Sequence, residues 1–453
     1  MVSEKPRIFE TDGVRGRVGS EFINDNFAYS LARAFSQYCA RETEKTVVLV
    51  GRDTRQSGRS FEVAIIEAIK DSNLRPLALG VVPTPLLSFA CMTRSDVAGA
   101  IVISASHNPY GDNGFKFFDS SGHKLPVESE LQVELLLRAN QKIYRPDSGG
   151  DSISYDTKIK SAYENFILGS IKPDLNFLGL KIVVDCANGS FFDIAPKVLE
   201  KTGAKIITIG CNPNGRNIND QVGSTTPQTV KNSVLKHRAD IGIAFDGDGD
   251  RLSLVTSNGR LLDGDDILFL LSILYKKQYH SFKEVVGTVM TNFALEKDLL
   301  RNNIRLERTE VGDRNISQMM TRKGYVLGGE SSGHIICGDF MATGDGLLAA
   351  MRVLELIFLE EKSLDSLILN FEKTPQVLVN VNVLDKYSVL DNSSVKEVIK
   401  SAELDLVGIG RILVRPSGTE PVIRVMVEGT DKSKVHSVSA RVASYIGNIY
   451  TSD

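Results

Sequence analysis

The chain has 453 residues, of which 42% are hydrophobic and 24% are charged, and its formal net charge is −3. Hydrophobic cores stop growing at about 250 to 300 residues, so this length predicts three or four domains rather than one. The near-neutral charge, without a long basic run, argues against a nucleic-acid-binding protein.

The first part of the chain alternates predicted helices with predicted strands. An early loop places Asp12 and Arg15 among glycines, which favours close approach to an anion, although an ordinary surface turn is an alternative. Helical or strand-like spacing then follows at 28–40, 47–50, 61–70, 76–79 and 98–103. This alternation predicts a mostly parallel sheet covered by helices. The charged segment 127–156 is expected to be an exposed helix and linker.

The strand predicted at 98–103 runs into the small and polar residues S-A-S-H-N-P at 104–109. Ligands of open α/β sheets bind outside the carboxyl ends of the strands, so Ser106 is offered where a ligand is expected. The alternative is a turn whose two hydroxyls cap the backbone. His107 is not expected to deprotonate Ser106, because neighbours in an extended segment point to opposite faces.

A second α/β unit ends in a dense acidic loop. Its helices and strands are predicted at 158–171, 181–185, 195–202, 206–209 and 241–245. The loop D-G-D-G-D-R at 246–251 then presents Asp246, Asp248 and Asp250 at alternate positions, with glycines that let them converge. Hard oxygen ligands on a short loop suit Mg²⁺. A solvated acidic turn is the alternative, and an EF-hand fits poorly because strands flank the loop.

A third α/β unit carries the loop G-E-S-S-G-H at 329–334. Its main elements are predicted at 265–277, 284–290, 325–327 and 347–361. An acid, two hydroxyls and an imidazole on a glycine-flexed loop are suited to binding sugar hydroxyls or an amine. A hydrogen-bonded structural loop is the alternative.

The last unit has a different hydrophobic pattern. Valines alternate with other residues over 376–384, as in an antiparallel strand with one face exposed to solvent. Further elements are predicted at 394–402, 411–414, 422–427 and 432–446. Arg415 precedes a Ser-Gly-Thr turn and Arg424 follows it, which together could cradle a phosphate. A tight turn with surface arginines is the alternative.

The five cysteines are odd in number and widely spaced, which indicates a reducing compartment and structural thiols. No window approaches ~18 uninterrupted apolar residues, so no membrane association is expected. These two features predict a cytoplasmic protein.

Together the four loops supply a hydroxyl, a carboxylate cage, a sugar-binding loop and a second phosphate cradle. Phosphoryl transfer requires mainly that the reacting groups are aligned and that the charge of the phosphoryl group is neutralised. These four loops provide the groups for both. A serine acceptor indicates covalent catalysis, and a separate phosphate site argues against a simple phosphatase. A sugar-phosphate phosphatase and a silent sugar-phosphate-binding protein are the remaining alternatives.

The four motifs S-A-S-H-N-P, D-G-D-G-D-R, G-E-S-S-G-H and R-P-S-G-T-E-P, in this order, resemble those of the α-D-phosphohexomutase superfamily over essentially the whole chain. The resemblance implies three tandem mixed α/β sheet domains plus a smaller C-terminal α+β domain around a central cleft. The corresponding domain boundaries are 1–155, 156–256, 257–370 and 371–453.

The resemblance also implies roles for individual residues. Ser106 would carry the phosphoryl group beside Mg²⁺ held by Ser106, Asp246, Asp248 and Asp250. His107, Lys116 and Arg15 would transfer protons or stabilise charge. The residues implied to contact the sugar are Arg251, Glu330, Ser332 and His334. Those implied to bind the distal phosphate are Arg415, Ser417, Gly418, Thr419 and Arg424.

Within the superfamily, V-G-D-R at 311–314 and S-G-T-E-P at 417–421 are most similar to the bacterial phosphoglucosamine mutase branch. That branch implies interconversion of glucosamine 6-phosphate and glucosamine 1-phosphate through glucosamine 1,6-bisphosphate, for UDP-N-acetylglucosamine synthesis. It also implies hexosamine phosphates as partners and a possible homodimer. Two positions depart from the pattern: Glu10 replaces a usual glycine near Arg15, and Ser331 replaces a usual Gln or Asn. Phosphomannomutase or phosphoglucomutase is the alternative activity.

Overall fold

The computed structural model describes residues 7–10, 12–139, 144, 153–417 and 421–450. The chain packs into two compact units, Met1–Thr288 with Glu307–Ile368 and Val289–Leu306 with Leu369–Asp453. None of the helices in the described ranges combines the length and apolarity needed to cross a membrane.

The first sheet of the larger unit has five strands in the order β1-β5-β4-β2-β3. Its strands are β1 (Val14–Arg17), β2 (Val47–Arg52), β3 (Arg75–Val81), β4 (Val97–Ile103) and β5 (Asp112–Asp119). Its helices are α1 (Asp25–Glu42), α2 (Gly58–Lys70), α3 (Thr84–Thr93) and α4 (Val127–Ala139). β4, β2 and β3 are parallel, whereas β5 and β1 are antiparallel to their neighbours. Every residue of β4 is buried, which explains its continuous apolar sequence.

The second sheet has the order β10-β9-β8-β6-β7. Its strands are β6 (Lys181–Asp185), β7 (Lys205–Ile209), β8 (Ile241–Phe245), β9 (Leu252–Thr256) and β10 (Leu261–Leu262). Its helices are α5 (Lys158–Gly169), α6 (Ile194–Lys201) and α7 (Gln228–His237). β8, β6 and β7 are parallel, and β9 runs antiparallel to β8. The acidic loop lies between β8 and β9, so strands flank it and the EF-hand alternative is excluded.

The third sheet has four strands in the order β12-β11-β13-β14. Its strands are β11 (Glu284–Thr288), β12 (Arg305–Thr309), β13 (Leu327–Gly329) and β14 (Ile335–Cys337). The helices of this region are α8 (Gly264–Gln278), α9 (Phe293–Arg301), α10 (Asp313–Lys323), α11 (Gly346–Glu360) and α12 (Leu364–Ile368). The boundary between the two compact units passes through β12, and α9 belongs to the smaller unit.

One topology is repeated in all three sheets. The succession β2, β3, β4, β5 has the same spatial order as β6, β7, β8, β9 and as β11, β12, β13, β14. In each repeat a central strand is joined to an antiparallel partner by one loop. Those three loops are the serine loop, the acidic loop and the G-E-S-S-G-H loop. The duplicated fold that the tandem α/β units suggest is therefore present, although no fixed-period sequence repeat reveals it.

The smaller unit contains a three-stranded antiparallel sheet in the order β15-β17-β16. Its elements are β15 (Gln376–Asn382), α13 (Lys386–Asp391), α14 (Ser393–Asp405), β16 (Gly410–Pro416), β17 (Val422–Gly429) and α15 (Lys432–Tyr450). Valines of β17 and α15 form the core of this unit. In β15, Val381 is buried while Asn380 and Asn382 are exposed, as the alternating pattern predicts.

The structure changes the sequence-based interpretation in two places. The sequence analysis assigned no element to 112–119, but these residues form β5, which pairs with β4. The helix expected to be exposed, α4, buries Val133 and Leu137. It also buries Glu130, which pairs with Arg7 and Arg314. The high charge of α4 is therefore neutralised by ion pairs rather than by solvent.

Candidate active site

Ser106 is buried at the turn between β4 and β5 and has a φ of 51°. A non-glycine residue in this left-handed region is strained and persists only where the surroundings hold it. The backbone N–H of Ser106 donates to Ser104 Oγ at 2.9 Å. Ser104 Oγ in turn donates to Asp53 Oδ2 at 2.6 Å. This chain of bonds fixes the backbone on the amino side of Ser106.

Arg55 holds the other side of the turn, and its guanidinium is fully buried. Asp53 Oδ2 accepts from Arg55 Nε at 2.9 Å and so orients the group. Arg55 then donates to the backbone oxygens of Ser106, Asn108, Pro109 and Asp112, at 2.9 Å for Ser106 and 2.7 Å for Asn108. The planar fork of arginine suits this multiple contact with carbonyls.

Asn219, from the second sheet region, binds two of the same carbonyl oxygens. Its Nδ2 donates to Ser106 O at 2.9 Å and to Asn108 O at 3.0 Å. Ser106 and Asn108 are thus each held by two donors, Arg55 and Asn219. Sequence reasoning did not assign either donor to the site. The available signal for Arg55 was the sequence G-R-D-T-R at the end of β2, whereas Asn219 lies in an irregular stretch without a motif.

The acidic loop lies against the serine hydroxyl. Ser106 Oγ donates to Asp246 Oδ2 at 2.6 Å, and the N–H groups of Gly249 and Arg251 donate to Asp246 Oδ1 at 3.1 and 3.2 Å. Burial, followed by the neighbouring Asp250 and Asp248 carboxylates, raises the pKa of Asp246 well above its usual value. Such crowding of carboxylates is costly unless a cation lies among them.

The three carboxylates fit a metal ion. One oxygen from each of Asp246, Asp248 and Asp250 can be chosen so that all lie within 4.8 Å of one another. Asp248 Oδ1 and Asp250 Oδ1 are buried and accept no hydrogen bond from the described residues. Buried carboxylate oxygens without donors are costly, and a divalent cation would satisfy them. The sequence-based prediction of a metal-binding acidic cluster is therefore matched by its geometry.

Lys116 points from β5 into this cluster and is almost completely buried. Its Nζ donates to Asp248 Oδ2 at 2.7 Å and to Asp250 Oδ2 at 3.0 Å, and it lies 3.1 Å from Asp12 Oδ2. Burial lowers the pKa of Lys116, but the three carboxylates outweigh it and hold that pKa well above its usual value. Lys116 is consequently a permanent cation at the site. Thr84, not anticipated from the sequence, donates from Oγ1 to Asp248 Oδ2 at 2.5 Å.

Asp12 connects several cations beside the cluster. It pairs with Arg15, with Lys116 and with Lys124, and Lys124 also pairs with Asp313. Burial raises the pKa of Asp12, but the nearby cations Lys116, Lys124 and Arg15 together lower it by more. The pKa is therefore well below its usual value, and the carboxyl stays ionised. Arg15 is therefore held by Asp12. The side chain of Glu10 is exposed, and the backbone N–H of Glu10 donates to Gly13 O.

His107 lies closer to Ser106 than the sequence argument allowed. Its Nδ1 is 3.3 Å from Ser106 Oγ. The expectation of opposite faces was wrong because Ser106 is left-handed rather than extended. Burial, with Arg251 and Arg15 nearby, lowers the pKa of His107 to about 4, so the ring is neutral near pH 7.

The G-E-S-S-G-H loop joins the acidic loop through backbone contacts. Arg251 and His334 form a β-bridge, and the N–H of Leu252 donates to Gly333 O at 3.0 Å. His334 is buried, and Gly344 N–H donates to its Nε2 at 3.0 Å. Its Nδ1 lies 3.8 Å from Asp250 Oδ2. His334 thus reaches the acidic cluster.

Glu330 and Ser332 occupy the outer part of the same loop. Gly312 N–H donates to Glu330 Oε1 at 2.9 Å, and Ser332 Oγ donates to Glu330 Oε2 at 3.3 Å. Ser332 is exposed and Glu330 is half-buried. Both polar groups are thus accessible, as binding of a sugar hydroxyl would require. Their predicted role stays a prediction.

The predicted distal phosphate residues lie in the smaller unit. Arg415 of β16 and Arg424 of β17 are direct cross-strand partners. Ser417 is buried, its N–H donates to Val422 O at 2.9 Å, and its carbonyl accepts from Lys386 Nζ at 2.5 Å. Gly418 and Thr419 lie outside the described residues. That all these groups share one site with Ser106 stays a prediction.

Comparisons with known protein families cover most of the chain. Residues 6–143, 157–259 and 263–374 match the α/β/α domains I, II and III of phosphoglucomutase/phosphomannomutase. Residues 378–444 match the C-terminal domain of the same family.

Individual relatives are similar over nearly their full length. A phosphoglucosamine mutase of Idiomarina loihiensis is 43% identical, covering 97% of this chain and 98% of that protein. A phosphoglucosamine mutase of Methylococcus capsulatus is 42% identical, covering 99% of this chain and 100% of that protein. The fold is similar to the crystal structure of a phosphoglucomutase/phosphomannomutase family protein from Burkholderia thailandensis. That structure has a TM-score of 0.81 at 23% identity and covers 98% of both chains.

Proposed function

We propose, because this chain belongs to the phosphoglucomutase/phosphomannomutase family, that it interconverts glucosamine 6-phosphate and glucosamine 1-phosphate. It is an intramolecular phosphotransferase that works through a phosphoserine enzyme and glucosamine 1,6-bisphosphate. Relatives called phosphoglucosamine mutases, 41–43% identical over almost the whole chain, support the choice of sugar. The product would supply UDP-N-acetylglucosamine synthesis in the cytoplasm.

The observation that carries the proposal is the contact between Ser106 Oγ and Asp246 at the edge of the acidic cluster. The serine is the phosphoryl carrier. Arg55 and Asn219 hold its backbone, so the turn that presents the hydroxyl is fixed. Phosphoryl transfer depends mainly on such alignment and on charge neutralisation.

Asp246, Asp248 and Asp250, with Ser106, would hold Mg²⁺. Once bound, Mg²⁺ neutralises charge on the transferring phosphoryl group. The Oδ1 atoms of Asp248 and Asp250, which accept no hydrogen bond within the described part of the chain, favour this assignment. Arg15 and Arg251 add positive charge close enough to interact with the carboxylates of the cluster, and they would bind substrate phosphate or hydroxyl groups.

Lys116 and His107 have different proposed roles because their charges differ. The raised pKa of Lys116 keeps it protonated, so it stabilises negative charge rather than accepting a proton. The lowered pKa of His107 leaves a neutral imidazole whose Nδ1 faces Ser106 Oγ. His107 is therefore the better candidate for exchanging a proton with the hydroxyl that attacks or leaves.

The sugar hydroxyls and amine would be bound by Glu330, Ser332 and His334. The phosphate that does not react would be bound by Arg415, Ser417, Gly418, Thr419 and Arg424. Ser331 keeps the loop polar at the position where glucosamine enzymes usually have Gln or Asn. Its carbonyl accepts from Gly264 N–H at 3.1 Å, so the backbone position of Ser331 is fixed. A homodimer is part of the family expectation and stays a prediction.

The test is a coupled assay with Mg²⁺ and a trace of sugar bisphosphate, comparing glucosamine, glucose and mannose 6-phosphates by kcat/KM. A clear preference for the glucosamine substrate is expected. A preference for glucose or mannose 6-phosphate would instead assign the phosphoglucomutase or phosphomannomutase activity. Release of inorganic phosphate without an isomeric product would identify a phosphatase.

A further inference from the structure

Cys186 and Cys211 follow two neighbouring parallel strands. Cys186 comes directly after β6 and Cys211 comes two residues after β7, and the last residues of these strands, Asp185 and Ile209, are register partners. Adjacent strands lie about 4.8 Å apart. Cys186 therefore lies opposite Gly210, the residue before Cys211.

The backbone of Cys186 and the thiol of Cys211 bind the same backbone oxygen. Cys186 N–H donates to Ile209 O at 3.0 Å, and Cys211 Sγ donates to the same oxygen at 3.3 Å. Gly210, with a φ of 60°, turns the chain so that Cys211 folds back towards β6. The two thiols also interact, because each one shifts the pKa of the other. The two side chains are thus close neighbours.

Cys211 differs from the other four cysteines in both its burial and its pKa. It is half-buried, whereas Cys39, Cys91, Cys186 and Cys337 are buried. The hydrogen bond from Cys186 lowers the pKa of Cys211, while burial raises the pKa of the other four. A partly exposed thiol with a lowered pKa and a neighbouring second thiol is typical of redox-sensitive cysteines.

We propose that Cys186 and Cys211 are a site of reversible oxidation by peroxide, forming an intramolecular disulfide. The Cys211 thiolate attacks one peroxide oxygen, the O–O bond breaks, and sulfenic acid and hydroxide form. The Cys186 sulfur then displaces the sulfenic hydroxyl, and its thiol proton and the leaving hydroxide give water. In total, two thiols and one hydrogen peroxide yield one disulfide and two water molecules, and a dithiol reductant reverses the reaction.

The pair lies next to the backbone that supports the acidic loop. Cys186 opens a turn in which Ser190 N–H donates to Gly247 O at 2.8 Å. The same turn approaches so closely that a Cβ on Gly189 would lie 2.3 Å from Gly247 O. A new bond at Cys186 therefore strains the support of the loop between Asp246 and Asp250, and slower turnover is expected. The disulfide is independent of the proposed function, but this effect on turnover rests on it.

The disulfide is tested first, without any activity assay. The full-length protein is treated with stoichiometric hydrogen peroxide, denatured, and its free thiols are counted. The number of free thiols is expected to fall from five to three. A peptide digest made without reductant should contain one disulfide-linked pair of peptides, which joins Cys186 to Cys211. The Cys211→Ser variant should keep its remaining four thiols after peroxide treatment. The control variant Cys39→Ala, which changes a different buried cysteine, should still form the disulfide between Cys186 and Cys211. Five remaining thiols, or oxidation of Cys211 without Cys186, would overturn the proposal.

The effect on turnover is then measured with the oxidised protein before and after dithiothreitol. We expect a several-fold loss of kcat that the reductant restores and that Cys211→Ser does not show. A mapped disulfide with unchanged kcat would refute the coupling to the acidic loop. Absence of mutase activity in the reduced protein would instead count against the proposed function and leave the disulfide mapping intact.

Discussion

Ser106 and Asp246 lie 2.6 Å apart, Oγ to Oδ2, at the same topological position of two repeats of one fold. Ser106 follows β4 and precedes β5, and Asp246 follows β8 and precedes β9. Each loop leaves the carboxyl end of a central parallel strand, where side chains are free to meet a ligand. The repeat thus brings the proposed phosphoryl acceptor and a carboxylate of the candidate metal site together without any similarity between their sequences.

Replacing Ser106 by Ala should abolish sustained mutase turnover, because no other residue is proposed to carry the phosphoryl group. The fold should persist, since the backbone is held by Ser104, Arg55 and Asn219 rather than by the hydroxyl. Activity is measured by the coupled assay and folding by thermal denaturation. Ser60→Ala on the exposed side of α2 is the control. Appreciable residual turnover would contradict the phosphoserine assignment.

Asp248→Asn should lower kcat and weaken the response to Mg²⁺. The change removes a charge that Lys116 and Thr84 orient, and loss of a metal-binding carboxylate costs several kcal/mol, about 100-fold or more in rate. The measurement is kcat as a function of Mg²⁺ concentration. Asp220→Asn, an exposed site in the same domain, should leave the curve unchanged. An identical Mg²⁺ response in Asp248→Asn would argue against the acidic loop as the metal site.

Asn219→Ala should loosen the turn that carries Ser106. The variant loses two hydrogen bonds to the carbonyls of Ser106 and Asn108, worth together about 1 to 3 kcal/mol. We expect a lower kcat with little change in KM, because Asn219 positions the acceptor and is not proposed to touch the sugar. Steady-state kinetics and denaturant unfolding test this, with exposed Asn232→Ala as the control. An unchanged kcat would show that Arg55 alone suffices.

Arg424→Ala should mainly raise KM for the sugar phosphate. A guanidinium–phosphate hydrogen bond contributes about 1.5 to 3 kcal/mol, so KM should rise about 10- to 100-fold. The control is Arg441→Ala, which removes a surface charge from α15 of the same unit. If KM is unaltered in Arg424→Ala, the distal phosphate assignment fails.

His107→Gln should alter the acid sensitivity of folding. The pKa of His107 is lowered from 6.5 to about 4, so between these values the unfolded chain binds more protons than the folded one. The contribution of His107 to stability is therefore present above pH 6.5 and is lost as pH falls towards 4. The melting temperature of His107→Gln should drop less over this range than that of the wild type. Exposed His280→Gln serves as the control, and an equal drop in all three proteins would rule out the burial effect at His107.

The sequence by itself determined the alternation of strands and helices, the buried strand β4 and the half-solvated strand β15. These follow from local periodicity, because burial on one or both faces leaves a repeating pattern in the chain. The serine and the three aspartates could also be named, since each lies in a short motif whose residue types indicate phosphate and metal chemistry, whereas Lys116 was named only through the family resemblance. The metal cluster could be predicted because its three ligands lie on a single loop.

Only the tertiary structure decided how the site is held together. Arg55 and Asn219 are 164 residues apart in sequence and meet on the same two carbonyl oxygens because two distant loops pack together, which no local pattern records. The left-handed conformation of Ser106, and hence its contact with His107, depends on that packing and contradicts the extended geometry that the sequence suggested. The charge states of Lys116 and Asp12 likewise follow from burial among opposite charges, a property of distances rather than of composition.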